Sequence, residues 1–291
     1  MASGNLKEIQ ISFCEEFDKY SEQYFYPLSN QLPELKLLFN SIQYSLNSGG
    51  KRFRPFVSHL VAQAYNIEKT QIYPYALAVE MIHTYSLIHD DLPCMDNDDF
   101  RRGQPTNHKL FGEDMALLAG DSLLTESFAV IAREYENQPA LAVKLIRLLT
   151  YKAGMLGMIG GQVLDMKSEP GITKDQMLLM HKLKTGALIE SAVVGAALIS
   201  KVSDQEFKYL QTYGENIGLA FQLKDDILDM NDKQQDHKNF VNLIGITETQ
   251  NMLNTVSILA QECLMNIQKC NAQVHVQNLL DLIEYNIKRD K

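Results

Sequence analysis

Two acidic clusters stand out by residue type and spacing. "HDDLPCMDNDDFRRG" (89–103) holds five aspartates between Asp90 and Asp99, and "KDDILD" (224–229) sets Asp225 and Asp229 four residues apart. On a helix that separation puts both carboxylates on one face, where like charges repel unless a cation joins them. A hard divalent ion does so: Mg²⁺ takes one or two protein carboxylates and completes its shell with water and phosphate oxygens. Asp90 and Asp96 are six apart, roughly 240° around an ideal helix and therefore on different faces. Pro93 changes that geometry, because a proline within a helix removes a hydrogen bond and clashes with the preceding turn. A kink or loop at Pro93–Cys94 could swing Asp96 back beside Asp90. Either cluster alone reads first as a solvated face or helix end. Two of them, each closing an apolar helical run, point to a polar cavity, and no EF-hand pattern offers a calcium reading.

Basic residues complete that cavity. "GGKRFRP" (49–55) places Lys51, Arg52 and Arg54 after the pair Gly49-Gly50 and beside a helix-compatible Pro55. Backbone N–H groups and cations at a helix start suit a phosphate. Arg101 and Arg102 follow the first aspartate cluster directly, and "LKTGAL" (183–188) sets Lys184 and Thr185 at a glycine inside an apolar run. The chain carries a formal charge of −9, so these local cations together with the two aspartate clusters point to a cavity for phosphates and Mg²⁺ rather than to a nucleic acid, which needs a broad basic face.

The elements that must hold these residues read as helices. Residues 75–89, 113–133, 141–157, 176–199, 206–228 and 250–268 show helical period, and no β-branched alternation competes. Pro27, Pro33, Gly49-Gly50, Gly103 to Pro105, Pro139 and Pro170-Gly171 fall between them. The small residues of 185–199 suggest a closely packed helix at the centre of a bundle. With 45% apolar and 22% charged residues, no low-complexity linker and no composition shift across 291 residues, one all-α domain spanning 1–291 is the simplest organisation. Cys14, Cys94, Cys263 and Cys270 form no C-x-x-C pair. Cys263 and Cys270 are seven apart, which reads as core packing on one helix face. The first residues lack an apolar secretory core, and "ALIESAVVGAALI" (187–199) is too short for a bilayer. A cytoplasmic protein without stable membrane insertion is expected.

The motifs resemble, in family order, those of the trans (E-type) isoprenyl diphosphate synthases. They are "GGKRFRP", "IHTYSLIHDDLPCMDNDDFRRGQPTNH" (82–108), "LLAGDSLL" (117–124), "GMIGGQVLDM" (157–166), "LKTGALIESAV" (183–193) and "GLAFQLKDDILD" (218–229). The resemblance implies an all-α helical bundle of the isoprenoid synthase type I class, with a deep central cavity, working as a homodimer. It implies a Mg²⁺-dependent prenyltransferase that condenses isopentenyl diphosphate head-to-tail with allylic diphosphates, using three Mg²⁺ ions per site, with Mn²⁺ as the alternative. Asp90 and Asp96 would then hold two ions, and Asp225 a third with Asp229 supporting it. Lys51, Arg54, His83 and Arg102, with Gly50 in the same loop, would hold isopentenyl diphosphate. Arg101 and Lys184 would contact the allylic diphosphate, and Thr185 and Gln222 would set oxygens near the developing cation. No protein nucleophile is required.

Product length is expected to depend on the helix that precedes the first cluster. Tyr85 and Ser86 stand five and four residues before Asp90, about one turn back. A bulky Tyr85 would floor the tail's channel and stop growth at the C15 farnesyl product. The segment "DDLPCMDNDD" is shared with C20 geranylgeranyl synthases, which keeps that product as the alternative. One region departs from the family: "MNDKQQDHKNFVNLIG" (230–245) is short, and the register of Lys238 is unsettled. Two other classes compete. A terpene cyclase shares the bundle and an aspartate motif but has no use for "GGKRFR". A non-catalytic synthase-like subunit tends to lose the aspartate motifs, and both are present.

Overall fold

A computed structural model of the protein describes residues 6–229 and 238–290. The fold is all-α, as the periodicity requires. The helices are α1 (Leu6–Ser29), α2 (Lys36–Asn47), α3 (Phe53–Ala64), α4 (Lys69–Asp90), α5 (Asn107–Phe111), α6 (Glu113–Glu134) and α7 (Pro139–Ala153). They continue with α8 (Met158–Met166), α9 (Lys174–His181), α10 (Ala187–Ile199), α11 (Asp204–Leu228), α12 (Phe240–Ile244), α13 (Ile246–Cys270) and α14 (Gln277–Lys288). The described residues group into two compact units. One comprises Lys7–Phe56 and Tyr73–Val143; the other contains Val57–Ile72 and the described part of Lys144–Lys291.

The unit containing the first cluster has an aromatic core. Phe13 stacks on Phe17 at 5.3 Å and meets Phe56 at 5.3 Å, and Tyr73 closes edge-on against Phe13, Phe17 and Tyr20. Gly120 of α6 supports the end of α4: a Cβ there would stand 2.1 Å from His89 Nε2, so only glycine lets that imidazole lie against the helix. α6 is long and apolar enough in composition to cross a bilayer. It buries Ala116, Ala119, Gly120 and Leu123 while Leu117 and Leu118 remain exposed.

The unit containing the second cluster is centred on α10 and α11. α10 is buried on every side from Ala187 to Ala197, the state expected of a helix that is apolar all round. Its small residues admit close neighbours, and Gly214 of α11 lies so near that a Cβ would stand 3.1 Å from Glu190 Cα. Both α9 and α11 begin with capping boxes, Thr173 with Gln176 and Ser203 with Glu206, which satisfy the first free amides of each helix. Met177, Met180, Leu223, Phe240 and Leu253 pack into one apolar cluster beneath the second acidic motif.

Four expectations need correction. Residues 176–199 are not one helix: a π-helical turn, Lys182–Gly186, separates α9 from α10. Pro27 lies inside the last turn of α1 rather than between helices. Cys263 is buried but Cys270 is exposed, because Cys270 closes α13 and has no further turn to pack under. Finally, a hairpin interrupts the helices: β1 (Phe100–Arg101) pairs antiparallel with β2 (Gln104–Pro105). Its two turn residues, Arg102 (φ 54) and Gly103 (φ 77), both take the left-handed region, the geometry of a type I′ turn that matches strand twist.

Candidate active site

α4 ends at Asp90, ahead of Pro93. The chain then folds back: the Asp96 amide donates to the Asp90 carbonyl oxygen at 2.8 Å, while the Met95 and Asn97 amides donate to Leu92. Thus the six-residue gap closes through a loop at Pro93–Cys94, as the proline allows, and Asp90 and Asp96 become backbone neighbours. Three other aspartates of the cluster have cation partners. Asp91 is buried and accepts Arg101 Nε through both oxygens, at 2.8 and 3.0 Å, with Nη2 at 2.7 Å. Asp98 lies 4.0 Å from Arg101 Nη2, and Asp99 pairs with Lys109 at 2.7 Å. Burial penalises the Arg101 guanidinium, but Asp91 more than restores it and holds it firmly protonated.

The basic loop meets the hairpin. Arg102 Nη1 donates to the Gly49 carbonyl. Gly50 has φ +127, and a Cβ there would stand 2.8 Å from the Arg102 guanidinium carbon. The backbone conformation at Gly50 favours glycine, and the Arg102 guanidinium lies where a side chain there would begin. His83 is held well below the ordinary histidine range, by burial first and then by the charges of Arg54, Arg102, Arg101 and Arg52. A neutral imidazole in a nest of guanidiniums is poised to donate one hydrogen bond to an anion that the arginines attract. Lys51 is exposed in the same loop. Arg52 has a different part. Its side chain is 5% exposed, and it reaches Asp18 at 3.0 Å, Glu80 at 2.9 Å and the Leu46 carbonyl, so it ties α1, α2 and α4 together.

Tyr85 is buried, its ring edge-on to His89 at 5.7 Å, and its hydroxyl has no hydrogen-bond partner. Burial, then the Asp90 carboxylate, push that phenol up to about 12. Ser86 is half-buried and donates to the His83 carbonyl oxygen at 2.8 Å.

In the other unit, Asp225 and Asp229 lie one turn apart. Asp229 caps α11, and its amide donates to the Asp225 carbonyl oxygen. Asp226 faces inward: it accepts the Phe240 amide at 2.8 Å and Gln222 Nε2 at 2.9 Å, and Asn239 Nδ2 donates to its carbonyl oxygen at 2.9 Å. It thereby anchors the start of α12. Burial, with added repulsion from Asp225 and Asp229, raises its carboxyl to about 7 despite the Phe240 and Gln222 hydrogen bonds. Lys184 and Thr185 lie on the π-helical turn, a form concentrated at functional sites. Gly161 of α8 accommodates the turn, since a Cβ there would stand 2.1 Å from the Lys184 nitrogen.

Lys238 is the residue that sequence reasoning left unplaced. Its Nζ lies 2.9 Å from Asp165 Oδ1, while Lys184 Nζ engages Oδ2 of the same carboxylate. Burial would raise Asp165, but the two lysines outweigh it and hold the carboxyl below its ordinary value. No local signal marks Lys238, because its neighbours His237 and Asn239 are polar and its partner lies more than seventy residues away. The rest of the shortened segment, residues 230–237, lies outside the described residues.

Among the described residues no three His, Cys, Asp or Glu side chains converge into a cage for a metal. The donors come instead as carboxylate pairs at helix ends. Mg²⁺ shared with a diphosphate uses such a set, because phosphate oxygens and water supply the remaining ligands. The residues present therefore fit Mg²⁺ with a diphosphate and do not fit a closed structural metal site.

An all-α scaffold that sets carboxylate pairs and arginine- and lysine-rich loops at helix ends defines a helical synthase acting on diphosphate esters. Residues 35–271 match the polyprenyl synthetase family model, and the chain belongs to that family. It is 39% identical over 277 residues to the farnesyl diphosphate synthase of Micrococcus luteus, covering 91% of this chain and 93% of that one. It is 45% identical over 196 residues to the geranylgeranyl diphosphate synthase of Cyanophora paradoxa, covering 66% and 65%. The crystal structure of the geranyltransferase of Helicobacter pylori superposes with a TM-score of 0.84 at 34% identity, over 99% of this chain and 100% of that one.

Proposed function

We infer that the protein is a prenyltransferase that condenses isopentenyl diphosphate head-to-tail with dimethylallyl and geranyl diphosphates to give farnesyl diphosphate. The observation that carries this reading is the cationic nest of Arg54, His83 and Arg102 against the Gly49-Gly50 loop. It serves a second diphosphate, which a terpene cyclase does not bind. The whole chain, 1–291, acts as one polyprenyl synthetase domain in this reading.

Asp90, Asp96, Asp225 and Asp229 would hold Mg²⁺, three ions in all, with Mn²⁺ as substitute; the bound metal neutralises the charge that develops on the leaving diphosphate. Arg101, kept charged by Asp91, and Lys184 bind the allylic diphosphate, and Lys238 joins Lys184 there. Gly50, Lys51, Arg54, His83 and Arg102 bind isopentenyl diphosphate. The allylic C–O bond breaks, and the electron pair leaves with the diphosphate. The double bond of isopentenyl diphosphate then forms the new C–C bond, and a proton passes to the departed diphosphate. Thr185 and Gln222 face the cation with oxygens, and Asp226 fixes the Gln222 amide through its Nε2. Tyr85 blocks the tail, with Ser86 beside it. Leu117 and Leu118, exposed on α6, suit a homodimer face. A cytoplasmic location without stable membrane insertion belongs to the same reading.

The test is incorporation of labelled isopentenyl diphosphate with dimethylallyl diphosphate and Mg²⁺, with the products sized. A C15 product is expected, and none with Asp90→Ala. No incorporation would favour a non-catalytic synthase-like subunit, and a C20 product would make the protein a geranylgeranyl diphosphate synthase.

A further inference from the structure

Arg289 follows α14 directly and turns back onto α11. Its side chain is 3% exposed. Nη2 lies 2.6 Å from Asp225 Oδ1 and 2.9 Å from the Phe221 carbonyl oxygen, Nε donates to Asn286 Oδ1 at 3.0 Å, and the guanidinium stacks 4.4 Å over the Phe221 ring. A buried cation is retained when its donors find partners, and this one sends Nη2 and Nε to three groups of which Asp225 is only one. A simple counter-ion would leave when a metal arrived. Arg289 would then have to break its bonds to Phe221 and Asn286 and lose its stacking, so the geometry favours its staying.

A carboxylate held at one oxygen has a fixed orientation at the other. We propose that Arg289 is a positioning residue for the second acidic site, holding Asp225 Oδ1 so that Oδ2 faces a divalent cation. The proposal rests on the reading of Asp225 as a metal ligand given above. Partners of this kind orient ligands, and their loss typically weakens metal binding by about 10–100-fold. The guanidinium also offsets part of the charge of three aspartates at the C-terminal end of α11, where the helix dipole disfavours anions. Its field reaches Lys224, whose ammonium is lowered by burial and then by Arg289.

The test is a Mn²⁺ titration followed by electron paramagnetic resonance, with inorganic diphosphate present and no isoprenoid. Circular dichroism verifies the fold of each variant. Asp225→Asn should abolish the tightest Mn²⁺ site. Arg289→Gln should weaken that same site by about 10-fold or more. Arg289→Lys should weaken it several-fold, because an ammonium cannot hold Asp225 and the Phe221 carbonyl while stacking on the ring. Unchanged or tighter Mn²⁺ binding in a folded Arg289 variant, with Asp225→Asn still abolishing the site, would overturn the positioning role. An Asp225→Asn protein that binds Mn²⁺ normally would instead overturn the ligand reading beneath it.

Discussion

Replacing Arg52 by methionine should cost about 3–5 kcal/mol of stability, the range for removing one partner from a buried ion pair. The magnitude follows from what is left behind. Glu80, with 6% of its side chain exposed, would lose the Arg52 Nη1 contact at 2.9 Å, and the Leu46 carbonyl would lose its donor. The Asp18 contact adds little, because that carboxylate is 43% exposed and water can replace the arginine. Methionine keeps most of the stem volume, so the loss is electrostatic rather than a cavity. At about 2–4 °C per kcal/mol, the melting temperature should fall by about 6–20 °C. Lys51→Met, at the residue next to Arg52 but exposed, should stay within about 0.5 kcal/mol of wild type while raising the KM for isopentenyl diphosphate. The double variant Arg52→Met/Glu80→Leu should recover part of the loss, since an apolar pair replaces an orphaned charge. Urea and thermal unfolding by circular dichroism read all three. If Arg52→Met shifts stability by less than about 1 kcal/mol, the partition of this motif into a structural and a substrate-binding cation is wrong.

Tyr85→Ala should lengthen the product beyond C15 in a chromatographic product assay. Tyr85→Phe should leave the length unchanged and be neutral or mildly stabilising, because the hydroxyl it removes is buried without a partner; an unchanged product in Tyr85→Ala would remove the floor. His83 gives a pH dependence of definite sign. Its folded-state value is depressed, so protons favour the unfolded chain: stability is full above the ordinary histidine value near 6.5 and falls as pH drops below it, by at most about 1.4 kcal/mol per pH unit. Urea midpoints of wild type and His83→Gln at pH 7.5 and 5 should converge at the higher pH and separate at the lower, and parallel curves would show that the histidine is not held neutral.

Much of the site was legible because its chemistry is local. The i, i+4 relation of Asp225 and Asp229 is set by helix geometry alone, and the return of Asp96 toward Asp90 is one of the paths that Pro93 opens. What stayed hidden depends on contacts distant in sequence. Arg52 looks like its neighbours Lys51 and Arg54 until Asp18 and Glu80 close around it. Lys238 is one lysine in a polar stretch until Asp165, on another helix, gathers it with Lys184. The π-helical turn at 182–186 has no periodic signature, because five residues barely shift the apolar pattern. It shows only in the close approach of Gly161.

Both acidic motifs end a helix, and that position has an energetic meaning. The C-terminal end of a helix carries roughly half a negative charge, and a carboxylate there costs about 0.3–1 kcal/mol. Folding alone would place aspartates at N-termini instead. The protein offsets part of the penalty internally: Arg101 and Lys109 engage the supporting aspartates of the first cluster, and Arg289 and the Phe240 amide engage Asp225 and Asp226. These partners are placed so that each fixes an orientation as well as a charge. Asp91 aims Arg101, Asp226 aims Gln222, and Asp165 gathers two lysines. The same arrangement keeps a carboxylate site selective. A pair at a helix end that is only half-neutralised binds a divalent cation best when a diphosphate arrives with it, because phosphate oxygens supply the ligands that the protein withholds.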